Sequence, residues 1–196
     1  MKISKLGQKN FTEIVKKVSN SIRQGRVLVL PTDTVYGLVA DATNKKAVEK
    51  LFKIKKRKKE KPIPIFVKDI EAAKKLSYID RNQENLLKKI WPGKITVILE
   101  KKTEMKLYGV DKKTIGLRIP KYKFIDTLLK KTNHPLTGTS ANISGKPAST
   151  KIKEIISQFK NQKHRPDLII DAGNLPKSRP SRVIDLIGKK PKILRK

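Results

Sequence analysis

The chain has 196 residues, a length that favours one domain with a core large enough to need no covalent staples. It contains no cysteine and only two histidines, His134 and His164, which excludes disulfides, a thiol nucleophile and cysteine-held metal and argues against an imidazole-built zinc site. Its 48 basic residues against 17 acidic ones leave a formal net charge of +31, which should attract polyanions such as nucleotides, RNA or acidic surfaces, the alternative being a lysine excess that is merely compositional.

The N-terminal stretch MKISKLGQKNF has no apolar segment of the signal-peptide kind, and no apolar run approaches the roughly 18 residues of a membrane span. A soluble cytoplasmic protein without membrane contact is expected. Phe11, Ile14, Val15, Val18 and Ile22 recur at helical spacing, Asn10 and Glu13 resemble a capping box, and Gly25 is a plausible stop. A strand over 26–31 follows. Its apolar run breaks at Pro31 into a loop carrying Thr32, Asp33, Thr34 and Tyr36 before Gly37. A helix begins at Asn44 and buries Ala47, Val48, Leu51 and Phe52, then gives way to the basic run KKRKKEK, Lys55 to Lys61. A short strand is expected at 63–67, a short helix capped by Asp69, another over 82–90, and strands at 95–99 and 115–119. A helix near 122–131 precedes a polar turn, TGTSANISGKPAST, at 137–150. Ile152, Ile155, Ile156 and Phe159 mark one more helix, and strands near 168–171, 183–187 and 192–194 complete the chain. The mixed order of elements predicts an α/β (α+β) fold: one domain over 1–196, with helices on a twisted mixed sheet.

The familiar nucleotide signatures are absent: no G-x-x-x-x-G-K-[ST], no G-x-G-x-x-G, no G-x-S-x-G and no H-E-x-x-H. Three stretches remain that could bind phosphate or orient a substrate. In the basic run, Arg57 offers a fork for paired phosphate oxygens, while Lys55 and Lys61 offer point charges. The alternative for such a run is a solvated helix end. With 39 lysines and 9 arginines in the chain, the arginines are the informative cations. In TSANISGKPAS, small residues around Ser140 and Asn142 would let backbone N–H groups approach a phosphate, or simply form a polar turn. In the loop 31–37, hydroxyls could orient a ligand or satisfy a strand end. None of the three offers a nucleophile with a histidine base beside it.

Taken in order, LPTDTVYGL, the K-x-R of Lys55–Arg57, WPGKITVIL, IGLRIP, TSAN-I-SGKPA and PSRVIDL resemble the YrdC-like family of threonylcarbamoyl-AMP synthases in its short, single-domain bacterial form. The resemblance covers nearly the whole chain and implies no additional C-terminal domain. It implies an open-sheet fold and a nucleotidyltransferase that makes threonylcarbamoyl-adenylate and pyrophosphate from L-threonine, bicarbonate or carbon dioxide, and ATP with Mg2+. A partner threonylcarbamoyl transferase would then modify tRNA, and tRNA is a possible direct ligand. Carried over residue by residue, Thr34, Arg118, the backbone at Gly138 and Ser181 fall at threonine-side positions. Arg57, Lys61, Thr114, Ser140, Asn142 and Arg195 fall at ATP-side positions. Lys55 and Arg57 would carry the catalytic charge, and no protein side chain is assigned to metal. Phe66, Lys58, Ala148 and Arg182 depart from the family pattern, standing where relatives have histidine, proline, serine and threonine.

The implied mechanism needs no protein nucleophile. The neutral amine of threonine attacks carbon dioxide or bicarbonate, and a carbamate oxygen then attacks the α-phosphorus of ATP. Both reactants are anions, so cations must cancel their repulsion and hold them in line. Two alternatives stay open: a relative with another acyl or carbamoyl substrate, and a basic RNA-binding module without catalysis.

Overall fold

A computed structural model describes residues 1–188 and 190–195. In chain order these form β1 (Lys2–Lys5), α1 (Phe11–Arg23), β2 (Leu28–Leu30), β3 (Gly37–Val39), α2 (Lys45–Lys55), β4 (Ile65–Phe66), α3 (Ile70–Lys74) and α4 (Arg81–Ile90). They continue with β5 (Ile95–Glu100), β6 (Thr114–Arg118), α5 (Lys123–Thr132), β7 (Leu136–Thr137), β8 (Thr139–Ser140), α6 (Ile152–Lys160), β9 (Leu168–Asp171), β10 (Arg182–Asp185) and β11 (Lys192–Arg195). The mixed α/β class is as expected, but the strands divide into two mixed sheets, in the orders β1-β9-β2-β3-β8 and β11-β10-β5-β6-β4-β7.

In the five-stranded sheet the strands β2 and β9 are buried on both faces, and the residue alternation shows how. Val27, Val29 and Ile169 point into one cluster with Leu51 and Phe52 of α2 and Ile155 and Phe159 of α6. Leu28, Leu30, Leu168 and Ile170 point into a second cluster with Val15 and Val18 of α1 and Leu128 and Leu129 of α5. Two covered faces require an apolar residue at every position, which is why VLVL and LII read as unbroken runs. In the six-stranded sheet the alternation has a different outcome. Val97, Leu99, Ile115 and Leu117 pack with Leu76, Leu87 and Trp91 in a third cluster. The intervening Thr96, Ile98, Thr114, Gly116 and Arg118 face a cavity.

Several local expectations change. Asn10 starts α1 without capping it, since its side chain accepts from Gly7 N at 2.8 Å and donates to Lys5 O at 3.0 Å. A capping box does form at α4, where Asp80 and Gln83 exchange side-chain-to-backbone bonds. The polar turn over 137–150 begins with β7 and β8, which lie on either side of Gly138 and belong to different sheets. Strands β1 and β3 arise where no strand was expected. Strand β1 is held by parallel pairing with β9, and β3 by antiparallel pairing with β2 and β8. No helix among the described residues is long and apolar enough to cross a membrane.

Candidate active site

A cavity of about 580 Å³ opens between the end of α2, the loop after β2, the β7–β8 crossing and the uncovered face of β5, β6, β10 and β11. Thr34, Lys55, Arg57, Lys61, Thr114, Arg118, Gly138, Ser140, Asn142, Ser181 and Arg195 all line it. Residues up to 161 positions apart in sequence thus share one space.

At one end lies the loop after β2. Thr32 Oγ1 donates to Val35 O at 2.7 Å and accepts from Thr34 N at 3.1 Å. Having given its proton away, it must also be the acceptor in its 3.1 Å bond with Thr34 Oγ1. Thr34 Oγ1 in turn accepts from Arg118 Nη1 at 3.3 Å. The guanidinium of Arg118 also donates through Nε to Gly93 O at 3.0 Å and through Nη2 to Asp33 Oδ1 at 2.5 Å. Arg118 and Asp33 form an ion pair whose side chains are 4 % and 6 % exposed. Burial holds the Arg118 guanidinium below its usual range, and the Asp33 carboxylate pulls it back up. Trp91 is buried in the segment that supplies Gly93 O and donates its indole N–H to Ile95 O at 2.8 Å.

Two groups that the loop was expected to display are engaged elsewhere. Asp33 faces Arg118 and the backbone N–H of Lys121. The Tyr36 hydroxyl donates to Gly173 O at 2.6 Å and accepts from Ala172 N at 3.1 Å, beyond the end of β9. Burial pushes this phenol up to about 12. Phe66 is buried beside Arg118, with the guanidinium carbon 5.8 Å from its ring centre. Its ring lies so close to Gly138 that a Cβ there would overlap it. That close approach, rather than an unusual backbone angle, is what calls for glycine.

The α2 end builds another wall. Lys56 closes the helix in the left-handed region at φ 49°, which turns the basic run across the cavity. Lys55, the last residue of α2, is 2 % exposed, and its ammonium reaches Ser140 O at 2.6 Å, Asn142 Oδ1 at 2.8 Å and Asn142 O at 3.0 Å. These three acceptors use its three N–H groups. Lys55 thereby anchors the turn that carries Ser140 and Asn142, a positioning task rather than that of a free phosphate cation. Burial, and next the nearby Arg57, lower its pKa to about 7. Arg57 donates to Lys61 O at 2.9 Å and Pro62 O at 3.0 Å, and Arg195 grips Ser181 O through Nε and Nη2 at 2.9 and 2.6 Å. The Ser181 hydroxyl bonds Thr96 Oγ1 at 2.9 Å. Thr96 was missed among the site residues, although it is the one polar residue inside the apolar strand ITVIL. Thr114 is fixed at the strand start by Asp111, whose Oδ1 accepts from Thr114 N at 3.1 Å.

A family model named Sua5_yciO_yrdC, described as telomere recombination, matches residues 20–196. The chain belongs to this family. Similar relatives within the Sua5/YciO/YrdC family include a putative threonylcarbamoyl-AMP synthase of Methanocaldococcus jannaschii, 36% identical over 95% of this chain and 86% of that protein. The threonylcarbamoyl-AMP synthase of Pyrococcus abyssi is 32% identical over 92% of this chain, which spans only 53% of that longer protein. The crystal structure of P. abyssi Sua5 complexed with L-threonine superposes with a TM-score of 0.87 at 30% identity, covering 99% of this chain and 56% of that one.

Proposed function

We propose that this chain is a threonylcarbamoyl-AMP synthase, joining L-threonine, bicarbonate or carbon dioxide, and ATP into threonylcarbamoyl-adenylate with release of pyrophosphate. The observation that carries the proposal is the convergence of a hydroxyl-and-guanidinium end, Thr34 with Arg118, and a cationic end, Arg57 with Lys61 and Arg195, on one cavity. Arg118 keeps N–H groups beyond those given to Gly93, Thr34 and Asp33, and these suit the threonine carboxylate. The Ser181–Thr96 hydroxyl pair and the backbone at Gly138 would complete that end. Arg57, Lys61 and Arg195 would take the triphosphate, with the turn of Ser140 and Asn142, anchored by Lys55, closing over the nucleotide. Thr114 would border it at the strand start. The cations would then balance charge as the carbamate oxygen approaches the α-phosphorus.

No carboxylate lines the cavity, and among the described residues no group of three or more histidines or acids is placed to hold a metal. The donor set therefore does not fit a protein-held magnesium ion. Magnesium belongs to the substrate as its nucleotide complex, and the chain's residues are assigned no step through it. Transfer of the activated group to tRNA would fall to a separate transferase, with direct tRNA contact favoured by the charge of +31.

The test is pyrophosphate release from ATP by the purified chain. It is expected to require both L-threonine and bicarbonate; equal release with threonine omitted overturns the proposal.

A further inference from the structure

The cavity lining carries seven lysines and arginines and no aspartate or glutamate. Left uncompensated throughout, such a lining would attract phosphate groups anywhere along it. One residue interrupts that uniformity. Among the described residues, Asp33 is the sole carboxylate within ion-pair distance of any of these cations, and its partner is Arg118. Asp33 stands behind Arg118 rather than in the lining, and it has no freedom to leave. Oδ1 takes Arg118 Nη2 at 2.5 Å, and Oδ2 takes the backbone N–H of Lys121 at 3.0 Å.

The other two arginines are held differently. Arg57 is gripped by the carbonyls of Lys61 and Pro62, and Arg195 by the carbonyl of Ser181. A carbonyl dipole orients a guanidinium while leaving its full charge facing the cavity, whereas a carboxylate cancels that charge. The three arginines are not far apart, because Arg195 is close enough to perturb both Arg57 and Arg118. Distance alone therefore does not keep a polyanion off Arg118.

We propose that Asp33 is a specificity-determining residue: by cancelling the charge of Arg118 it denies phosphate groups the Thr34 end of the cavity, so that a polyphosphate lodges only against Arg57, Lys61 and Arg195. The inference rests on the proposed sharing of the cavity by an amino acid and a nucleotide. A monocarboxylate loses little by this arrangement, since Arg118 still offers it directed N–H bonds. A multiply charged phosphate depends far more on net charge and loses most. Asp33 acts through Arg118 and touches no substrate.

The experiment is calorimetric titration with pyrophosphate, without nucleotide, amino acid or turnover, at about 0.2 M salt to suppress surface binding. The wild type is expected to show no pyrophosphate site that depends on Arg118. Asp33→Asn, nearly identical in shape, is expected to gain one such site, which the double variant with Arg118→Met loses again. If Asp33→Asn does not melt cooperatively, Asp33→Ser carries the same expectation. An unchanged site count in the folded Asp33 variant overturns the inference. So does a wild-type site that Arg118→Met abolishes. Failure of the synthase reading would show separately, as threonine-independent pyrophosphate release.

Discussion

The two sheets of this chain are built from similar strands and differ in what covers them. The five-stranded sheet has helices on both faces, and its alternating residues serve two cores. The six-stranded sheet is covered by α3 and α4 on one face only, and the residues of β5 and β6 that miss that core form the cavity floor. In the central strands β2 and β9 of the first, nearly every side chain is spent on packing. In the other, every second side chain is released for binding, and the strand stays in place because its alternate residues are anchored.

If that division is right, substitutions in the two regions should separate stability from ligand use. The largest stability effect is expected at Leu28, fully buried in the twice-covered sheet. Leu28→Ala should cost about 2–5 kcal/mol in denaturant unfolding through lost burial and a residual cavity. A pH-dependent effect belongs to Lys55, at the border between core and cavity. Burial lowers its pKa to about 7 from 10.5, so between these values the unfolded chain holds a proton that the folded chain lacks. Stability should therefore rise as pH climbs through that window and level off outside it. Lys55→Met should flatten this rise in pH-dependent melting while weakening nucleotide binding, because the Ser140–Asn142 turn loses its anchor. An unchanged pH slope in the variant would show that Lys55 is not the group that loses its proton on folding. The smallest stability effect is expected at Gly116 on the cavity floor. An added Cβ there meets Thr96 and Pro64 only at ordinary contact distances of 3.5–3.8 Å. Gly116→Val should shift unfolding by less than about 1 kcal/mol yet obstruct the cavity and cut substrate use more than tenfold. Comparable unfolding of Gly116→Val and Leu28→Ala would break the comparison between the sheets.

These regions were not equally legible in the sequence. Helices α1, α2 and α6 announce themselves by apolar residues at helical spacing, and β2 and β9 by runs that only a twice-covered strand needs. Strand β1 has one apolar residue, Ile3, and that residue is 47% exposed, so hydrophobic pattern could not reveal a strand held by backbone pairing with β9. Strands β7 and β8 are two residues each, too short for any period to register. The residue types of the site were visible as motifs, and all eleven meet. What the motifs could not express is how those residues engage one another. Asp33 and Arg118 lie 85 positions apart, and so do Lys55 and Ser140. A carboxylate that looks displayed and a lysine that looks free are both committed once the two sheets come together.

The single tryptophan gives the Thr34–Arg118 end of the cavity its own optical signal. Trp91 is buried, its indole N–H is bonded to Ile95 O, and it lies two residues before the carbonyl that holds Arg118 Nε. No other indole contributes, so with excitation on the red edge, where tyrosine does not absorb, the emission comes from one side chain next to the strap that steadies the guanidinium. Ligands that shift Arg118 would be transmitted through Gly93 to this fluorophore. Ligands confined to the basic run after α2 have no comparable covalent route to it. Colour change on titration would thus tell which end of the cavity a compound occupies, without a label and without waiting for chemistry.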